Sequence, residues 1–225
     1  MPSKFYMMAK KKTISSNDII SFYMDYVLEH NHKPKSIYAF AKQNNFDEAK
    51  FYEHFGNFEA IEKGIFQAFF DNTHKALEAS EDYANFEPRN KLLSFYFTFF
   101  ENLTANRSYV IYALHQHKNS LKNYKVLSGL KTSFTHYIKD LDIELIDVKQ
   151  EQLNKIQDKG LTETAWLQLL LTLKFWMDDT SASFEKTDIF IEKSVNTSFD
   201  VLNIAPLKSL IDFGKFIFKE KVKTS

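Results

Sequence analysis

The 225 residues contain no cysteine, only 5 glycines and 4 prolines, no net charge, and no apolar run long enough to cross a bilayer. Without cysteine there is no disulfide, no thiolate nucleophile and no Cys-based zinc site, which fits a cytoplasmic protein. Tight turns draw on Gly and Pro, so their scarcity argues against a strand-rich fold and for long helices. A neutral total, with a pI near 7.1, is unlike the basic balance of a dedicated nucleic-acid binder, although a local basic patch remains compatible with it. The greasiest stretch, AWLQLLLTLKFWM at 165–177, is interrupted by Gln168, Thr172 and Lys174 and is too short to span a membrane. MPSKFYMMAKKK places its apolar patch before its lysines, with no apolar run of signal length behind it.

What is abundant is phenylalanine, 23 residues, with 11 tyrosines. Each aromatic ring buries a large area. So many rings imply a wide core, a dimer face or a greasy cavity. Positions 1–14 read as a flexible arm with lysines at 4, 10, 11 and 12. That arm serves either as a solubilising tail or as a phosphate-tracking one. Ser15 and Asp18 have capping-box spacing. Ile19, Ile20, Phe22, Tyr23, Tyr26 and Val27 then follow at helical spacing up to His30-Asn31-His32 and Pro34. A short helix is expected from Ser36 to about Asn44, burying Ile37, Phe40 and Ala41. Asp47 caps a third helix whose apolar side is Phe51, Tyr52 and Phe55, and Asn57 caps a fourth from Phe58 to about Ser80.

Further helices follow. Pro88 suits a first turn, and 92–103 is apolar nearly all round and so central. Others cover 107–118 and about 120–141. A polar helix at 147–160 ends at Gly160, with others at about 162–178 and 185–203. Pro206 opens the last, 207–223. No strand pattern and no repeat is visible, so the fold class is all-α.

Residues 36–61 carry a motif. SIYAFAKQNNF sets Ser36 before an aliphatic–Ala frame of Ile37, Phe40 and Ala41, FYEHF follows at 51–55, and Glu59 and Ile61 open the next helix. In this the chain resembles the TetR family of transcriptional regulators. The resemblance implies an all-α TetR-like fold with a helix-turn-helix DNA-binding domain at 15–60 and a helical ligand-binding and dimerisation domain at 61–225. It implies a homodimer, an operator DNA partner, a small apolar ligand and a repressor's role rather than an enzyme's. Its DNA-binding candidates here are Lys35, Ser36, Glu48, Ala49, Lys50, Tyr52, His54 and Asn57. Two positions depart from the family. Lys50 stands where Ser or Thr is usual, and Phe58 where a phosphate-binding Lys is usual. Asp47, Glu48 and Glu53 outweigh Lys50, although phosphate attraction supplies most non-specific affinity.

The expected ligand pocket comprises Phe95, Tyr96, Phe99, Phe100, Tyr112, Leu169 and Leu173, although rings at such spacing also suit plain core. The expected dimer interface comprises Trp166, Leu170, Phe190 and Val195. Asp179, Ser181, Phe184, Thr187, Phe190 and Lys193 are also similar to the C-terminal part of a TetR-fold lipid-binding family of ubiquinone biosynthesis. That second resemblance implies an alternative: a lipid-binding, membrane-associated accessory protein whose DNA-binding head is degenerate. The lysine-edged apolar face at 207–223 fits peripheral membrane contact, and equally a helix docked on its own domain or on a dimer partner. His115 and His117, two apart on a helix, point in different directions. No metal, no cofactor and no catalytic constellation is expected. Asp178-Asp179 reads as a cap or a solvated turn.

Overall fold

The computed structural model describes residues 14–115, 124–143 and 151–202. The basic arm up to residue 13, His117 and the stretch at 207–223 lie outside the described residues. Among those described, the fold is all-α, as expected, with nine helices and no strand. The helices are α1 (Ser16–His30), α2 (Ile37–Gln43), α3 (Glu48–His54), α4 (Phe58–Glu78), α5 (Pro88–Ala105), α6 (Arg107–His115), α7 (Ser128–Asp140), α8 (Glu151–Asp178) and α9 (Glu185–Leu202). The chain divides into two compact units, Met1–Ile65 and Phe66–Ser225, and the division falls inside α4.

In the N-terminal unit the caps fix the helix starts. Ser15 Oγ accepts from the Asp18 N–H at 3.2 Å, and the Asp18 carboxylate accepts from the Ser15 N–H at 2.9 Å, the reciprocal box the spacing implied. Ser36 Oγ caps α2 by accepting from the Ala39 N–H at 3.1 Å, and Asn57 Oδ1 caps α4 by accepting from the Ala60 N–H at 2.8 Å. Asp47 differs from expectation. It occupies the cap position of α3, but its side chain makes no capping hydrogen bond. The Lys50 N–H that a cap would satisfy already donates to the Asp47 backbone carbonyl at 2.8 Å.

Phe40 is the centre of this unit. Its ring lies 5.8 Å from Phe46, 6.0 Å from Phe58, 6.2 Å from Phe51 and 6.3 Å from Tyr23, all nearly edge-on. That geometry sets ring edges against ring faces and adds to the gain from burial. Tyr23, Phe40 and Phe51 are fully buried. Gly64 is required by proximity, since a Cβ there would sit 3.0 Å from the Phe55 ring. Tyr23 Oη and Lys33 Nζ both donate to the Glu62 carboxylate, at 2.7 and 2.8 Å, and so tie α1 and the α1–α2 loop to α4.

In the C-terminal unit, α5 opens with Pro88 in its first turn and buries Leu92, Phe95, Tyr96, Phe99, Phe100 and Leu103. It is not apolar all round in its setting, because Phe97 is exposed. Phe95 stacks on Phe99 at 5.4 Å and on Tyr137 of α7 at 4.8 Å. The Tyr137 hydroxyl donates to the Lys91 carbonyl at 3.0 Å and meets Tyr83 Oη at 2.8 Å.

Gly160 corrects a second expectation. It does not end a helix: α8 runs unbroken from Glu151 to Asp178. One interior glycine costs about 1 kcal/mol relative to alanine, too little to stop a helix that goes on to bury Trp166, Leu169, Leu173 and Trp176.

Candidate functional site

The α2–turn–α3 pair has the shape of a reading head. The buried Phe40 and Phe51 hold the two helices together, and the turn passes through Asn45 at φ 57°. Ala49, Tyr52, Glu53 and His54 are exposed on α3, and Lys35 and Ser36 are exposed at the start of α2. Because Ser36 Oγ accepts at the cap, its proton is left to donate to a phosphate. Asn57 Oδ1 is already engaged as a cap.

The charges of α3 are turned on one another. Lys50 Nζ binds both oxygens of Glu53, at 2.7 and 2.9 Å, and Tyr52 Oη lies 3.5 Å from Glu48 Oε1. Lys33 is similarly held by Glu62. Phe58, at the usual lysine position, is half-buried and packs 5.5 Å from Tyr23 and 5.6 Å from Phe51. The departure from the motif therefore exchanges a phosphate contact for core.

In the C-terminal unit, Phe95, Tyr96, Phe99, Phe100, Leu169 and Leu173 are all buried, and Tyr112 is half-buried. Phe100 lines a small hollow with Trp176 and Phe184, and none of the seven lines the hollow described next. Tyr96 is the exception in kind. Its hydroxyl is buried and has no hydrogen-bond partner among the described residues. Burial raises its pKa, so the group stays neutral.

A semi-enclosed hollow among the described residues lies elsewhere. It holds about 340 Å³ between α5, α7, α8 and α9, with Leu92, Ile138 and Phe199 as its floor and Gly160, Thr164 and Gln168 along one wall. Sequence reasoning missed it. Its one signal in the sequence is Gly160, a glycine that lies inside a helix rather than at its end.

The expected dimer residues separate into two groups. Val195 is fully buried and Trp166 nearly so within the single chain, each packed toward its core. Helical periodicity explains this: 166, 169, 173 and 176 turn inward, whereas Leu167, Leu171 and Phe175 turn outward. Leu170 is half-buried. Phe190 stacks on Phe175 at 4.5 Å, and with Ile189 these rings line an open apolar depression on the α8/α9 face.

The α8–α9 junction was undervalued by sequence. Buried Asp179 accepts from Ser181 N and Oγ at 2.8 and 2.7 Å, and from Thr187 N and Oγ1 at 2.9 and 2.7 Å. Burial alone would raise its pKa, but these four donors hold it well below the usual carboxylate value. Arg107 donates to the carbonyls of Trp176 and Met177 at 2.9 Å each and lies over the rings of Trp176 and Phe184. Asp179, Ser181, Phe184 and Thr187 thus have a structural reason to co-occur. Asp178, by contrast, is exposed and paired with Lys174 at 2.8 Å. Among the described residues no cluster of three or more His, Cys, Asp or Glu could hold a metal ion, and no helix is long and apolar enough to cross a membrane.

Residues 91–217 match the family described as "Tetracyclin repressor-like, C-terminal domain". No curated protein matches the chain. The match covers more than half of the sequence, and with the all-α architecture it shows that the chain belongs to the tetracyclin repressor-like, or TetR, family, whose members are generally regulators rather than enzymes.

Proposed function

We propose that the protein is a dimeric, DNA-binding transcriptional repressor that responds to a small apolar ligand. The observation that carries this reading is the α2–α3 pair, locked through Phe40 and Phe51, with an exposed α3 face and a free Ser36 proton beside it. In such a head the second helix of the motif enters the major groove and the first crosses the backbone. Lys35, Lys42 and Lys63 are exposed and supply the attraction to phosphate that the paired Lys50 and Lys33 do not. The outward stripe Leu167, Leu171, Phe175 and Ile189 is the surface for a second copy. A two-fold pair presents two heads to two half-sites. A ligand shifts DNA affinity only by as much as it distinguishes the two arrangements of the heads.

A second reading is favoured by one specific observation: Lys50 is bound by Glu53 and the usual lysine site is filled by Phe58. In that reading the head is degenerate and the C-terminal unit is a lipid-binding module. Retardation of duplex DNA at low and moderate salt, with random and neighbouring promoter sequences, separates the two. The repressor reading expects sequence preference and a steep loss of affinity with salt. Absence of retardation, with lipid co-purifying, selects the alternative.

A further inference from the structure

We propose that the groove between α5, α7, α8 and α9 is the ligand seat, and that it takes a neutral, elongated apolar molecule bearing one hydrogen-bonding group, such as an alcohol or ester. The proposal rests on the reading of the C-terminal unit as ligand-binding, but not on DNA binding by the head.

Three features lead to this assignment. The first is shape and greasiness. The hollow holds about 340 Å³, within the range of small-molecule pockets, and its floor is Leu92, Ile138 and Phe199, each at most 9% exposed. The second is a hydrogen-bonded polar patch at Gln168. Gln168 Nε2 donates to Ser194 Oγ at 3.3 Å, and Gln168 Oε1 accepts from Ser198 Oγ at 3.0 Å. The amide thereby keeps one N–H and one lone pair for a guest. No charged side chain is among the described residues lining the groove. Arg89, which lies over the Phe199 ring, is held by Asp200 at 2.7 Å. An ionised guest would shed its hydration with no counter-charge among the described lining residues to meet it.

The third feature is Gly160. It sits inside α8, where glycine disfavours the helix, and a Cβ built there meets nothing within 4 Å. It is not needed for close packing or for a left-handed backbone. It lines the groove, so the missing side chain leaves that wall open.

The test uses the full-length protein and the neutral fluorophore N-phenyl-1-naphthylamine, with 1-decanol, decanoate and decylammonium as competitors. Saturable binding is expected, with decanol displacing the dye at least tenfold more tightly than either ion. Gly160→Leu should weaken dye binding at least tenfold while helical circular dichroism and the melting temperature hold or rise. Gln168→Leu should retain the dye and weaken displacement by decanol. No saturable binding, wild-type affinity in a folded Gly160→Leu, or equal displacement by decanoate would each overturn the seat or its chemistry. If Gly160→Leu fails to fold, Thr164→Trp on the same wall replaces it with the same expectation. DNA retardation on the same preparations is read separately. Its loss with dye binding intact sinks the regulator and leaves the seat standing.

Discussion

The two units of this chain have interiors of the same kind and differ in how they use their charge. Both are packed with aromatic rings, around Phe40 in one and around Phe95 and Tyr137 in the other. In the N-terminal unit, Lys50 faces Glu53 on the surface, a pair of the kind worth a few tenths of a kcal/mol. In the C-terminal unit, Asp179 and Arg107 point inward and organise the α8–α9 corner. Lys50 and Glu53 therefore set the charge of the exposed α3 surface, whereas Asp179 and Arg107 hold geometry. Removing Asp179 should cost stability, whereas removing Glu53 should change recognition more than stability.

The aromatic interior of each unit comes first, because it sets the largest effect. Phe40→Ala should destabilise the head by about 4 kcal/mol, through lost burial and the cavity left among four rings. Phe95→Ala should cost the C-terminal unit a similar amount. Hydrogen exchange resolved by residue reports each unit separately. If Phe40→Ala costs under about 1 kcal/mol, the head is not built around that ring.

Asp179→Ala comes next, at roughly 3 kcal/mol, since it leaves the buried Thr187 donors and the half-buried Ser181 donors without their acceptor. Asp179 also predicts an acid limb. A carboxylate with a lowered native pKa contributes stability that is fully present above its unfolded value of about 3.9 and is lost as the pH falls through the native one. Thermal melts of the wild type should show that limb below about pH 4, and Asp179→Ala should flatten it.

How much was legible in the sequence follows the same division. The head was readable because its signals are local. Ser15–Asp18 and Asn57 bond to backbone three residues away, as expected, and Ser36 at the start of α2 does the same. The all-α body was readable from helical periodicity, and Pro88 from its place in a first turn. What sequence could not give was direction around a helix that is greasy on two sides. Trp166 and Leu167 are adjacent and both apolar, yet one is buried and the other about half exposed. Nor could it show that Asp179 reaches Thr187 or that Arg107 reaches Trp176, because those contacts depend on the packed corner. The groove was missed for the same reason, as its walls come from four helices far apart in the chain.

Gly160→Ala gives a smaller effect of opposite sign. It should stabilise the C-terminal unit by about 0.5–1 kcal/mol, the helix-propensity difference, because the new methyl group meets no neighbour. A melting temperature that falls instead would show that the wall at Gly160 is filled.

The smallest expected change in stability is the one that most sharpens the contrast. Glu53→Gln removes the partner of Lys50 at the exposed end of α3, and it should shift unfolding by less than about 0.5 kcal/mol. Its effect on recognition should be larger than on folding. The freed ammonium adds one cation to the face presented to phosphate, so duplex affinity at low salt should rise about threefold and the salt slope should steepen by about one ion. The mirror substitution in the body, Lys174→Gln beside the exposed Asp178, removes a pair of similar geometry and should leave duplex binding unchanged. If Glu53→Gln leaves duplex binding equally unchanged while the protein stays folded, the α3 surface does not meet DNA. The head's charges would then be as idle as those of any solvated helix.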